Sequence, residues 1–185
     1  MKTIAAVALT LVLLGIGGLL FIFSGTYNMG ADAPHWPLTH QLISTLRDRS
    51  IAAASASIQP PDLADHTVVL SGAGQYAAMC TGCHLAPGMT QSEIRSGLYP
   101  VPPNLSQVRV DSKVAFWVIK HGIKMSAMPA WGASHDDATI WSMVAFLQQL
   151  PDLDAAEYKD LVGKAPPDDD MNMGAKSEGN IMAHP

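Results

Sequence analysis

The chain has 185 residues, 48% of them apolar, and carries a formal net charge of -5 at neutral pH. That length allows one compact domain plus accessory segments rather than two full domains. The negative balance argues against a nucleic-acid binder, which is normally basic overall.

After Met1 and Lys2 comes an uncharged run over residues 3–23, rich in Leu, Val, Ala, Ile and Gly. About twenty such residues, rising about 1.5 Å each, span the roughly 30 Å of bilayer hydrocarbon as one helix. Lys2 stays inside by the positive-inside rule, which sends the rest of the chain outward. A cleaved signal peptide is the competing reading, but its apolar core is normally about 7 to 15 residues long and ends in a small-x-small site. Here the core is longer, and the best such triplet, Ala31-Asp32-Ala33, lies well beyond it and precedes Pro34. We expect an uncleaved anchor over residues 1–23, and either reading makes the following domain extracytoplasmic.

Residues 24–37, with Gly25, Asn28, Gly30, Pro34 and Pro37, read as irregular chain leaving the membrane. From Leu38 to about Ile58 the side chains of Leu38, Leu42, Leu46 and Ile51 recur at helical intervals beside His40, Arg47, Asp48 and Arg49. This pattern predicts an amphipathic connector helix with an Ala/Ser-rich second half. Three roles are open to it: lying on the membrane surface, packing on a partner subunit, or covering the domain that follows. Gln59-Pro60-Pro61-Asp62 ends the pattern, so residues 24–61 read as a linker and residues 62–151 as the main domain.

That domain contains Cys80-Thr81-Gly82-Cys83-His84. Two thiols separated by two residues can each add across a vinyl group of one haem, and the histidine that follows is placed to bind the iron. A zinc half-site or a redox dithiol is the alternative. The chain has no other cysteine to complete a zinc site, and no strand-rich pattern precedes the motif. Thioether formation would consume both cysteines, so cysteine usage is silent on redox compartment.

Further elements surround the motif. A helix leads into it through Gly72, Tyr76 and Met79, and a Pro/Gly-rich stretch follows over residues 87–103. A second helix is expected over 111–121, then a loop with Met125 and Met128, then a helix over 136–150 stopped by Pro151. Asp136 and Asp137 suit the positive N-terminal end of that last helix, and Ile140, Met143, Val144 and Leu147 give it one apolar face.

In this order of features, residues 70–150 resemble a class I cytochrome c domain, which covers somewhat under half the chain. The resemblance implies a mainly α-helical domain around one covalent haem c, with Cys80 and Cys83 as thioether donors and His84 as the proximal iron ligand. Gly72 and Tyr76 stand where the family's first helix crosses its last, opposite Met143 and Phe146. Pro103-Asn104-Leu105 is similar to the segment whose proline carbonyl accepts the proximal histidine's Nδ1-H, which fixes the ring for iron. Met128-Pro129-Ala130-Trp131-Gly132 is similar to the family's Met-Pro-Ala element, which makes Met128 the expected distal ligand. Met125 and, more remotely, Met89 are competitors. Trp131 and Trp117 flank the distal side; Trp131 is expected on the ring or its propionates, while Trp117 fits plain core packing as well.

A His/Met pair raises the reduction potential and leaves no open iron position. The expectation is therefore single-electron transfer without an enzymatic active site, by a bacterial single-pass inner-membrane protein with its haem domain in the periplasm. Its partners would be redox proteins, a membrane oxidase or dehydrogenase. A haem subunit fixed in a multisubunit oxidoreductase is the runner-up; a haem sensor or copper-handling protein is a third reading, which ferrous carbon monoxide binding would favour. Arg95, Arg109, Lys113, Lys120 and Lys124 against Asp111 suggest a basic haem edge that meets an acidic partner patch. Residues 152–185 read as an acidic, disordered tail in which Met171, Met173, Met182 and His184 are candidate Cu(I) ligands.

Overall fold

The computed structural model describes residues 1–167, which are helical with no strand among them. Helix α1, Lys2–Phe23, buries none of its side chains and is long and apolar enough to cross a membrane. Residues 24–36 form an irregular joint. Helix α2, Pro37–Ser55, opens on a proline, whose missing N–H costs nothing in a first turn.

The domain proper is built from α3 (His66–Met79), α4 (Thr81–His84), α5 (Glu93–Ser96), α6 (Ser112–His121), α7 (Asp137–Gln149) and α8 (Ala155–Lys164). Aspartates start most of these helices. Asp65 accepts from the Thr67 amide, Asp111 from Lys113 and Val114, and Asp136 from Thr139, each satisfying amides that a helix start leaves without partners. The Asp65 and Asp136 carboxyls fall below the ordinary aspartate range, Asp65 chiefly through the Thr67 hydroxyl and Asp136 chiefly through the Thr139 amide.

The core forms where α3 crosses α7, with α6 and α8 packed at its flanks. Gly72 sits at the crossing. A Cβ there would lie 1.9 Å from the Ser142 carbonyl oxygen and 3.0 Å from the Met143 nitrogen, so only a residue without a side chain lets the backbones meet. One turn on, the buried rings of Tyr76 and Phe146 face each other at 5.4 Å, and Phe116 stacks on Trp141 at 4.1 Å to fasten α6 to α7.

Three expectations need correction. Residues 152–164 are not tail: a 3-10 turn, Leu150–Asp152, leads into α8, whose Asp154 and Glu157 form a reciprocal capping box. Helix α8 then packs on α3 with Tyr158 buried and Leu161 and Val162 against the core. The sparse apolar residues of this segment are spaced to fall on one side, which is enough when a core already exists to receive them. The tail residues Met171, Met173, Met182 and His184 lie outside the described residues. Next, the Pro/Gly-rich stretch contains a helical turn, α5, capped by Ser92.

Lastly, the basic segment is in part paired with acids from elsewhere in the fold. Arg109 pairs with Asp152 and also donates to the Gln148 carbonyl, Lys120 pairs with Asp137, and Arg95 donates to the Pro102 carbonyl at 3.0 Å. Both acids lie outside the segment in sequence and beside it in space, so counting charge along the chain misjudged the surface.

Helix α2 does lie against α6. It does so with the side that carries Ile51 and the buried Ser55, not with Leu38, Leu42 and Leu46, which stay exposed.

Candidate haem site

The Cys-x-x-Cys-His motif is a single helical turn continuing α3. The His84 amide donates to the Cys80 carbonyl at 2.8 Å and the Cys83 amide to the same oxygen at 3.1 Å. One turn of helix brings Cys80, Cys83 and His84 together at the end of α3, the arrangement their spacing implies. Burial, with Cys83 nearby, pushes the Cys80 thiol up to about 12. Gly82 between them has open space where a side chain would stand.

His84 is held at two points by the segment across from it. Its Nδ1 lies 3.0 Å from the Pro103 carbonyl oxygen, and its own carbonyl accepts the Leu105 amide at 3.1 Å. A nitrogen that donates to Pro103 leaves Nε2 with the free lone pair, the atom a metal would take. Burial lowers the ring's pKa from the ordinary histidine value; the Pro103 bond opposes this and the Arg95 charge reinforces it. A neutral ring is the ligating form. Leu105 is buried, Pro103 exposed.

The chain after His84 turns sharply, with Leu85 at φ 62 and its side chain buried. A branched residue rarely adopts that conformation, at a cost of about 1–3 kcal/mol. The Tyr76 hydroxyl stabilises it by donating to the Leu85 carbonyl at 2.5 Å, and burial raises the Tyr76 pKa so that the phenol remains a donor. Helix α5 braces the other side. The Ser92 hydroxyl donates to the Gly82 carbonyl inside the motif and accepts the Arg95 amide, and Arg95 reaches Pro102, next to the carbonyl that holds His84.

Met128, the expected distal ligand, is half-buried against the core, whereas Met125 is 88% exposed in a left-handed turn, φ 56. Met89 also is exposed. The Met128 carbonyl accepts the Ile123 amide at 3.1 Å and its amide donates to the Ser126 hydroxyl at 3.2 Å. Gly122, at φ 64, makes this loop closure possible: a Cβ there would lie 2.7 Å from the Met128 oxygen. Trp131 is half-buried in the 3-10 turn Trp131–Ala133, edge-on to His135 at 5.5 Å. Trp117 is half-buried on α6 and tilts against His121 at 5.0 Å.

Sequence reasoning missed Arg95, Ser92, Gly122 and the strained Leu85. For Gly122 a signal existed, since a glycine directly after a helix end is a common C-terminal stop. For Ser92 it was an N-cap serine before a helix former. For Arg95 and Leu85 nothing local distinguishes them.

The donor set suits a covalent haem: two thiols within one helical turn, an oriented imidazole beside them and, on a separate loop, a soft thioether packed against the core. Among the described residues no group of three or more His, Cys, Asp or Glu offers a competing metal site. A family model described as cytochrome c oxidase, cbb3-type, subunit III, matches residues 67–147. No curated protein and no solved structure matches the chain. Residues 67–147 are thus a c-type cytochrome domain, whose cofactor is haem c and whose chemistry is haem-based electron transfer.

Proposed function

We propose that this chain is a membrane-anchored monohaem cytochrome that carries single electrons on the periplasmic side of a bacterial inner membrane. Residues 1–23 are its uncleaved anchor, residues 24–61 its linker, and the haem domain runs from residue 62 through the end of α8. Cys80 and Cys83 hold the haem, His84 and Met128 ligate the iron, and Pro103, Leu105 and Trp131 fix or cover the group. Bound haem supplies a one-electron iron couple. The polypeptide orients the proximal imidazole through Pro103, presents a soft distal sulfur, and excludes water with the α3–α7 core. With His84 and Met128 both holding the iron, no ligand position would be left for a substrate, and the group would supply one-electron carriage between partner proteins rather than catalysis.

Two observations support this reading: an imidazole held through Nδ1 by Pro103, and a methionine, Met128, packed against the core on a separate loop. Met128→Ala is expected to lose the low-spin six-coordinate ferric spectrum and to admit carbon monoxide in the ferrous state, while Met125→Ala keeps the native spectrum. The reverse pattern overturns the distal assignment. The matched family's description names an oxidase subunit, which favours a second reading: a haem subunit of a membrane oxidoreductase. Gentle detergent extraction separates the two, because a free carrier elutes alone and a subunit elutes with its complex.

A further inference from the structure

The sequence groups Leu38, Leu42, Leu46 and Ile51 as the apolar positions of α2; the fold turns Ile51 towards the haem domain and leaves the three leucines uncovered, 68%, 62% and 72% exposed. What α2 turns towards the haem domain is another side. Ser44, Arg47 and Ile51 are half-buried and Ser55 is 3% exposed, and α2 lies against α6. At about 100° per residue the Leu38, Leu42, Leu46 stripe and the Ser44, Arg47, Ile51, Ser55 stripe are centred about 180° apart. Helix α2 is therefore a two-sided spacer, with the haem domain on one side and an unpartnered leucine row on the other.

The joint with α1 says what that row faces. Phe21, in the last turn of α1, packs its ring on Trp36 at 5.8 Å, and Tyr27 meets Trp36 edge-on at 4.9 Å. Tyr27 and His35 bond through hydroxyl and Nδ1 at 2.8 Å, and the His35 amide donates to the Tyr99 hydroxyl at 3.2 Å. These contacts hold Trp36, the residue just before α2, beside the end of the apolar helix, and fasten the same joint to the haem domain. Tyr and Trp at the end of a spanning helix mark the headgroup level, so the leucine row begins there. Arg49 lies on the same side one turn beyond Leu46, where its long side chain can reach lipid phosphate.

We propose that α2 lies in the headgroup layer of the membrane, with Leu38, Leu42 and Leu46 inserted among the acyl chains, so that the haem domain rides on the bilayer with its α6 side down. The proposal rests on reading α1 as the membrane anchor. Its consequence is a haem held at fixed height and orientation rather than swinging on a 24–61 tether. Insertion of an amphipathic helix beside an existing anchor adds apolar burial without a new entropic cost of capture.

The test uses the pigmented full chain in vesicles of phosphatidylcholine and phosphatidylglycerol. Thioether bonds to the haem would consume both of its cysteines, so in the pigmented chain a third is a unique labelling site. Spin labels go at Leu42→Cys and Leu46→Cys, at Asp48→Cys on another side of α2, and at Val12→Cys in α1. Collision with oxygen, which partitions into lipid, is compared with collision with a water-soluble nickel chelate. The expected result is an oxygen-to-nickel accessibility ratio at least about threefold higher at positions 42 and 46 than at position 48, and highest at position 12. Water-like ratios at 42 and 46 with a lipid-like ratio at 12 overturn the proposal and leave the anchor standing. A water-like ratio at 12 overturns the anchor itself. Water-like ratios at 42 and 46 in vesicles that become shielded only in native membranes assign the leucine row to a protein partner and likewise overturn the lipid reading.

Discussion

Replacing Gly72 by alanine adds one methyl group where the structure has no room for it. The new Cβ would lie 1.9 Å from the Ser142 carbonyl oxygen and 2.4 Å from its carbon. Reaching the 3.4 Å of ordinary contact requires α3 and α7 to part by about 1.5 Å. The obstacles are backbone atoms, which cannot rotate away, so the usual overpacking cost of about 1–3 kcal/mol is exceeded and we set it at about 4. Parting the helices also opens the contacts of Tyr76, Met143 and Phe146, all buried at this crossing. Alanine's better helix propensity returns about 1 kcal/mol. The net loss is about 3 kcal/mol, or a fall in Tm of about 12–24 °C for a folded unit of this size. The assay is denaturant unfolding of the pigmented protein, followed by far-ultraviolet circular dichroism and by the haem absorption. Gly163→Ala serves as control: it too is a helical glycine, in α8, but nothing lies within 4 Å of its added Cβ, and it is expected to gain up to about 1 kcal/mol. A Gly72→Ala protein within about 1 kcal/mol of wild type would refute the reasoning, as would equal losses in both variants.

Gly122→Ala places a methyl against the Met128 and Pro129 backbone at 2.7 Å and strains a left-handed residue; weakened distal ligation is expected, read as loss of the sulfur-to-iron charge-transfer band, and an unchanged band would show that the loop adapts. Tyr76→Phe removes the donor to the Leu85 carbonyl and leaves that oxygen unpaired, which should cost about 1–3 kcal/mol in denaturant unfolding; a loss under about 0.5 kcal/mol would mean water replaces the phenol. The depressed carboxyls of Asp65 and Asp136 stabilise the fold above the ordinary aspartate value of about 3.9, and that contribution disappears as pH falls through their lower folded values. Asparagine still caps but cannot titrate there, so the Asp65→Asn, Asp136→Asn protein should lose stability less steeply between about pH 5 and pH 2; an unchanged slope would place the acid sensitivity elsewhere.

The haem motif was legible because its geometry is local. Cys80, Cys83 and His84 sit within one helical turn, so their spacing alone placed them together, and the same holds for the caps at Asp111 and Asp136 and for the apolar length of α1. The bond from His84 to Pro103 was anticipated only through the Pro-Asn-Leu resemblance, since a sequence separation of nineteen leaves many other closures open. Arg95 carries no distinguishing local pattern and Gly122 only that of a helix stop; their further work depends on backbone that arrives from Pro102 and from Met128.

Helix α2 and α8 mark the boundary of what one dimension can tell. Periodicity grouped Leu38, Leu42 and Leu46 on one side of α2 but wrongly counted Ile51 with them, and Ser55 is buried while Leu42 is exposed, because which side of a helix is covered depends on what stands beside it. Composition marked residues 152–164 as solvated chain, yet Tyr158, Leu161 and Val162 find a surface on α3 that exists only after α3 and α7 have crossed. Sequence by itself determined the Cys-x-x-Cys-His turn, the membrane-length helix and the starts of α6 and α7, since these are set by residues within a few positions of one another. Tertiary structure decided which faces are buried, which charges are spent in pairs and which glycines are indispensable, since burial and close approach are properties of segments that meet only in space.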